Sequence, residues 1–126
     1  MPLPRFAAAL LLAGALAACA ENPYAGTYRG TFATVGTGYS DRGIWNADVN
    51  QVGYLKGRAS SSAQGRNFAF DGEVDAQGRL KARVGVGAKS ADFTGTIDPQ
   101  GTVKGTWDGL IGTRQMEGTF EGAKVR

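Results

Sequence analysis

The sequence predicts an all-β protein, a small eight-stranded antiparallel up-and-down β-barrel with an apolar interior and a polar exterior; a two-sheet β-sandwich is the alternative. Three observations carry this. From residue 27 onward, apolar and polar residues alternate with the period of two that marks a half-buried strand. No amphipathic helix is available to cover the apolar face, so the sheet must close on itself or fold over. Finally, the segments VNQVGYLKG (Val49–Gly57), VDAQGRLKA (Val74–Ala82) and IDPQGTVKG (Ile97–Gly105) repeat one pattern around a turn: Asn or Asp, two spacers, then Gly.

The strands follow in order. Tyr28-Gly30-Phe32 comes first and leads into a long connection, Thr34–Gly43. Trp45-Ala47-Val49 and Leu55-Gly57-Ala59 flank the tight turn at Gly53, and Ser61–Arg66 leads onward. Phe70-Gly72-Val74 and Leu80-Ala82-Val84 flank the turn at Gly78, and after Gly85–Ser90 come Phe93-Gly95-Ile97 and Val103-Gly105-Trp107, flanking Gly101. Gly109–Arg114 then leads to Met116-Gly118-Phe120. Each triplet is apolar, small, apolar, and the residues between are polar, among them Arg29, Asp48, Lys56, Asp71, Glu73, Lys81, Arg83, Thr94, Thr96 and Lys104.

Turn chemistry sets a register. Asp98-Pro99-Gln100-Gly101 has the residues of a type I turn followed by a left-handed glycine, the three-residue hairpin with a G1 bulge. Ile97 then faces Val103, Gly95 faces Gly105 and Phe93 faces Trp107. On the outer face the same register sets Glu73 opposite Lys81, Asp71 opposite Arg83 and Asp48 opposite Lys56. The central small residues are expected to share one height and form a ring inside the barrel. Such a ring either lets large neighbours fill a crowded waist or leaves the waist hollow for a ligand. A membrane-spanning barrel would face lipid with its apolar residues; here the charges point outward, as in a water-facing domain.

Length and composition narrow the functional classes. A chain of 126 residues makes one domain, and its +3 charge comes from scattered basic residues with acids between them, which excludes a nucleic-acid surface. Histidine is absent and Cys19 is the only cysteine, so neither a His/Cys metal site nor an intrachain disulfide is available. The usual general bases and nucleophile pairs are missing too, and the expectation is a non-enzyme without metal or cofactor. Tyr39, Asp41 and Arg42 form the one polar cluster of interest, and the bland reading of it is a turn.

The first residues carry an address. MPLPR supplies one positive charge, FAAALLLAGALAA an apolar run, and Leu16-Ala17-Ala18-Cys19 ends it. This resembles the bacterial lipoprotein precursors, whose lipobox is a Leu, two small residues and a Cys. The resemblance implies a signal peptide over 1–18, cleavage before Cys19, a diacylglyceryl thioether on its sulfur and an acylated amino terminus. It implies a partner as well, the membrane. Ala20 in place of Asp favours the outer membrane under the enterobacterial sorting rule. The remaining expected boundaries are 19–26 for the lipidated Cys and linker, 27–121 for the barrel and 122–126 for a C-terminal tail. A linker Ala20–Gly26 extends at most about 25 Å.

Function is expected at one end. The tight turns and both termini lie together, so the four long connections form a mouth that points away from the membrane. Phe32, Trp45, Phe70, Phe93 and Trp107 fall in the layer beneath it, and Arg42, Arg66, Lys89 and Arg114 lie in the connections. Either these rings finish the core and the cations are solvated, or together they bind a hydrophobic or anionic amphiphilic ligand. The alternative is a structural or protein-interaction lipoprotein of the envelope with a solid barrel. MEGTFEGAKV resembles the barrel lobes of transferrin-binding surface lipoproteins, a likeness that carries over no functional residue. Inhibitor lipoproteins of the periplasm are also small barrels, but with a disulfide that this chain cannot form.

Overall fold

The computed structural model describes residues 21–35, 41–62, 66–86, 89–111 and 113–126, excepting the side chains of Arg66, Val86, Lys89 and Ile111. Cys19, Tyr39 and the expected signal peptide lie outside these residues. The eight antiparallel strands are β1 (Gly26–Val35), β2 (Arg42–Val49), β3 (Tyr54–Ser61), β4 (Arg66–Val74), β5 (Arg79–Val86), β6 (Lys89–Ile97), β7 (Thr102–Ile111) and β8 (Arg114–Lys124). They pair in chain order, and β8 pairs back onto β1. The sheet is therefore a closed barrel and not a sandwich. The expected inward residues are buried or half-buried, whereas Asp48, Lys56, Asp71, Lys81, Thr94 and Lys104 are exposed.

Each tight turn is built the same way. Asn50, Asp75 and Asp98 each accept two backbone N–H bonds through the side-chain oxygen, from residues two and four places on. Gly53, Gly78 and Gly101 close the turns at φ 91°, 82° and 87°, where any other residue would be strained. Their carbonyls accept from Val74, Ile97 and Lys124, so each turn is also held by a later strand. The register follows from these turns: Ile97–Val103, Gly95–Gly105, Phe93–Trp107, Glu73–Lys81, Asp71–Arg83 and Asp48–Lys56 all lie opposite. Arg83, however, closes its ion pair on its other side, with Asp92 of β6 at 2.9 Å. Asp71 is opposite Lys56 as well as Arg83, so that cation has a choice of neighbours.

The ring of small residues forms along the tilted strands, with one change: Gly122 of β8 takes the place expected for Gly118. Small residues stay level across the turn-linked pairs, Ala47 with Gly57, Gly72 with Ala82 and Gly95 with Gly105. Across each longer connection the register steps by two residues, setting Gly30 against Trp45, Gly57 against Phe70, Ala82 against Phe93 and Gly105 against Phe120. Closure demands this, because tilted strands must shear against one another to meet. The step also corrects β8. Gly122, not Gly118, is level with Gly30, and Phe120 joins the aromatic layer instead of the aliphatic one below. Strand β8 accordingly runs to Lys124, beyond the expected end at 121.

This geometry explains glycine in mid-strand. A Cβ on Gly30 or Gly122 would stand 2.5 Å from the Trp45 ring, and one on Gly95 2.9 Å from Phe120. Gly57 is covered by Phe70 and Gly105 by Phe120. Each ring lies over the glycine on the next strand, and the interior fills. Among the described residues, the apolar void between Phe32, Trp45, Leu55, Phe70, Phe93 and their neighbours measures only about 30 Å³, too small for a ligand. The hollow-waist reading is set aside by this filling.

The lower end is sealed. Asn22–Ala25, expected as linker, forms a turn in which Asn22 N–H donates to Gln51 O (2.8 Å) and Asn22 Nδ2 to Val74 O (2.9 Å). The Tyr24 ring packs on the core beside Gly78, and the Tyr28 hydroxyl donates to Tyr24 O at 2.7 Å. Burial, with the neighbouring Tyr24, raises the Tyr28 pKa above its ordinary value. Val49, Leu55, Val74, Leu80, Ile97 and Val103 complete this layer, as expected.

Candidate functional site

The upper end is built from the same alternation, and among the described residues it has no counterpart of the Asn22–Ala25 turn. Phe93 is the centre of its aromatic layer, stacked on Phe70 (6.2 Å, 24°) and on Trp107 (6.1 Å, 28°) and edge-on to Phe120 (5.5 Å). Phe32 meets Trp107 edge-to-face at 6.5 Å. Phe32, Phe70, Phe93 and Trp107 are only half-buried. Trp45 is different: it is 8 % exposed, packs against Phe120, and its indole N–H donates to Thr31 O at 3.1 Å. Trp45 belongs to the core.

The second tryptophan has no such partner. Trp107 Nε1 and Thr34 Oγ1 are fully shielded, and among the described residues neither has a hydrogen-bond partner. The two are neighbours across one glycine: Thr34 pairs with Gly118, Gly118 pairs with Trp107, and a Cβ on Gly118 would stand 2.5 Å from Trp107 Nε1. An unpaired buried polar group costs about 1–3 kcal/mol, so two side by side call for an explanation. Beside them Thr34 N–H donates to Asp41 O (2.9 Å), and the buried Asp41 carboxylate accepts from the buried Ser61 hydroxyl at 2.5 Å. Thr34, Asp41 and Ser61 thus put polar groups at the open end beside its aromatic rings.

The expected cations divide. Arg42 and Arg114 are exposed at the starts of β2 and β8. Arg42 alternates with the inward Asp41 and Gly43 and therefore lies on the outer side of the rim. Arg66 and Lys89 begin β4 and β6, opposite Ser61 and Ile111 in the register. The connections are shorter than expected: β5 reaches Val86 and β6 starts at Lys89, β7 reaches Ile111 and β8 starts at Arg114.

Thr34, Ser61 and the lone Trp107 N–H escape a reading by alternation, because which ring covers which glycine depends on the shear. A second feature also escapes it, an open depression of about 590 Å³ on the outer face of β2–β5, flanked by Lys56, Arg58, Arg83, Asp48 and Asp71. It exists because the outward positions Ala69 and Gly85 lack long side chains between these charges. Among the described residues no group of acidic or Cys side chains comes together as a metal site.

No family model and no curated protein matches the chain. Among solved structures the barrel is similar to EF1p2_mFAP2b bound to DFHBI, at 16 % identity and a TM-score of 0.56, over 81 % of this chain and 94 % of that one. At that identity the likeness is one of fold, a small β-barrel.

Proposed function

We propose that the protein is a non-catalytic barrel lipoprotein, anchored through Cys19, that binds a small amphiphile with an acceptor-bearing, anionic head across its open end. One observation carries the reading: the shielded, unpartnered Trp107 N–H and Thr34 hydroxyl beside half-exposed aromatic rings. Both groups can donate, so the complementary ligand atom is an oxygen such as that of a carboxylate or phosphate. Phe32, Phe70 and Phe93 offer apolar surface next to it, and Arg66, Lys89 and Arg114 at the strand starts supply a favourable potential. With the waist filled, the apolar part lies over the rings instead of threading between them. The similar barrel EF1p2_mFAP2b is described as bound to a small molecule, DFHBI, which supports a ligand on this kind of fold. The lipobox, with Ala20 after the cysteine, favours the outer membrane as the site of action.

The test is a titration of the Cys19-free domain with fatty acids, lysophospholipid and lipid A, followed by tryptophan emission. Saturable change, weakened and made less salt-dependent by Arg66→Glu with Arg114→Glu, is expected, since exposed charges are screened over about 8 Å at physiological ionic strength. Emission already blue and unmoved by every ligand would favour the second reading, an envelope lipoprotein that works through protein contacts. The filled interior supports that reading, as do Val35, Ile44 and Leu110, exposed apolar residues outside the rim.

A further inference from the structure

The protein reaches the sealed end of its barrel by a route that leaves almost no tether. Asn22 is bonded to Gln51 and Val74, on two different turns, and Tyr24 beyond it is packed into the base. Cys19 stands three residues before Asn22, a stretch of chain that reaches at most about 11 Å from an atom fixed to the barrel, and not the roughly 25 Å of a free linker. The surface around that point has a distinct composition. Val52 at the tip of the first turn is 85 % exposed, and Tyr54, also exposed, begins the strand that follows it. Lys124, whose side chain crosses Gly101, and Arg126, whose carbonyl accepts from Thr27 N–H, offset the acids Glu21, Asp75 and Asp98 at the same end, so the surface there carries no strong repulsion for an anionic head-group layer.

We infer that this end of the barrel is a membrane-docking surface: a diacylglyceryl Cys19 holds Val52 and Tyr54 against the head-group layer. The inference rests on the lipobox reading of Cys19. Val52 and Tyr54 are too few to bind a bilayer unaided, but so short a tether gives them a high effective concentration at the surface. Docking sets the barrel axis along the membrane normal. Strands of this length and tilt then hold the open end about 20–25 Å above the head groups. A ligand of that end comes from the aqueous side and not from the anchoring leaflet.

Because the thioether blocks Cys19, an introduced cysteine is the only free thiol of the lipidated protein. Val52→Cys at the sealed end and Ile44→Cys, 62 % exposed at the open end in the native residue, are prepared as full-length lipidated proteins. Each is reconstituted into vesicles of phosphatidylethanolamine and phosphatidylglycerol and treated with a maleimide-polyethylene glycol. The ratio of the Val52→Cys to the Ile44→Cys labelling rate is expected to fall about tenfold from detergent to vesicles, as nine-tenths occupancy of the docked state gives. A flexible Gly-Ser spacer inserted after Ala20 is expected to restore it. An unchanged ratio in protein that floats with the vesicles would overturn docking. Protein that does not float, with Cys19 itself reacting, would instead overturn the lipobox reading on which docking rests.

Discussion

The two ends of the barrel use one strand pattern and finish it in opposite ways. At the lower end the turns are held locally: Asn50, Asp75 and Asp98 hold their own turns, later strands hold the turn glycines, and Asn22 and Tyr24 cover the opening. At the upper end the rings are half-exposed and two shielded polar atoms, on Trp107 and Thr34, go unanswered. The chain satisfies its own turn groups at one end and leaves these two unpartnered at the other, where the proposed ligand would supply the acceptor.

The largest effect is expected between the two ends, where the rings lie on glycine. Gly105→Val drives a branched side chain into Phe120 and into Thr94 O, and is expected to cost about 3 kcal/mol, the upper part of the overpacking range. Thr106→Val, one residue on and exposed, is expected to stay within about 0.5 kcal/mol. Equal urea midpoints for the two variants would mean that the inside and outside are misassigned.

A smaller loss is expected at the seal. Asn22→Ala removes the Asn22 Nδ2 bond to Val74 O and the acceptor for Tyr24 N–H, and is expected to cost about 1–3 kcal/mol. Emission changes at the open end on adding laurate should be untouched. If the Asn22 variant also lost that response, the two ends would not be separable.

Alkali distinguishes the ends next. Tyr28 ionises in the unfolded chain near its ordinary pKa of about 10, and burial holds the folded value higher. Its contribution is therefore full below pH 10 and is lost as pH rises toward the folded value. Urea midpoints should fall on that limb, and Tyr28→Phe should flatten it. An unaltered slope in Tyr28→Phe would place the alkaline sensitivity elsewhere.

The smallest effect compares one turn with another. Hydrogen bonds from Arg79, first from its backbone N–H, lower the pKa of Asp75. The contribution is present at neutral pH and is lost as pH falls through that lowered value. Asp75→Asn, which copies Asn50 of the neighbouring turn, should reduce the acid dependence of the urea midpoint. An acid limb of unchanged slope would remove Asp75 from the account.

How much of this was legible in the sequence varies with where register is set. Asp98, Pro99 and Gly101 specify a turn from four adjacent residues, so Ile97–Val103 and Phe93–Trp107 follow directly. The longer connections specify no register, and the two-residue step at each of them comes from closing the whole barrel. That is why Phe120 is found among the rings and Gly122 in place of Gly118. The aromatic layer of the candidate site was legible as alternation, and its cations as loop residues. The placing of its polar groups was not, because Trp107 Nε1, Thr34 and Asp41–Ser61 meet only after the shear is fixed.

The two indole N–H groups give the account its most direct measurement. Trp45 N–H is bonded to Thr31 O and Trp107 N–H has no partner among the described residues, so each has its own resonance in a ¹⁵N-labelled sample of the Cys19-free domain. Titration with laurate is expected to move the Trp107 indole proton downfield and saturably as it acquires an acceptor, while the Trp45 indole stays in place. Trp107→Phe should abolish saturable binding without unfolding the domain. A Trp107 signal that stays still at saturating laurate, or one that moves only together with Trp45, would contradict an acceptor-headed ligand at the open end.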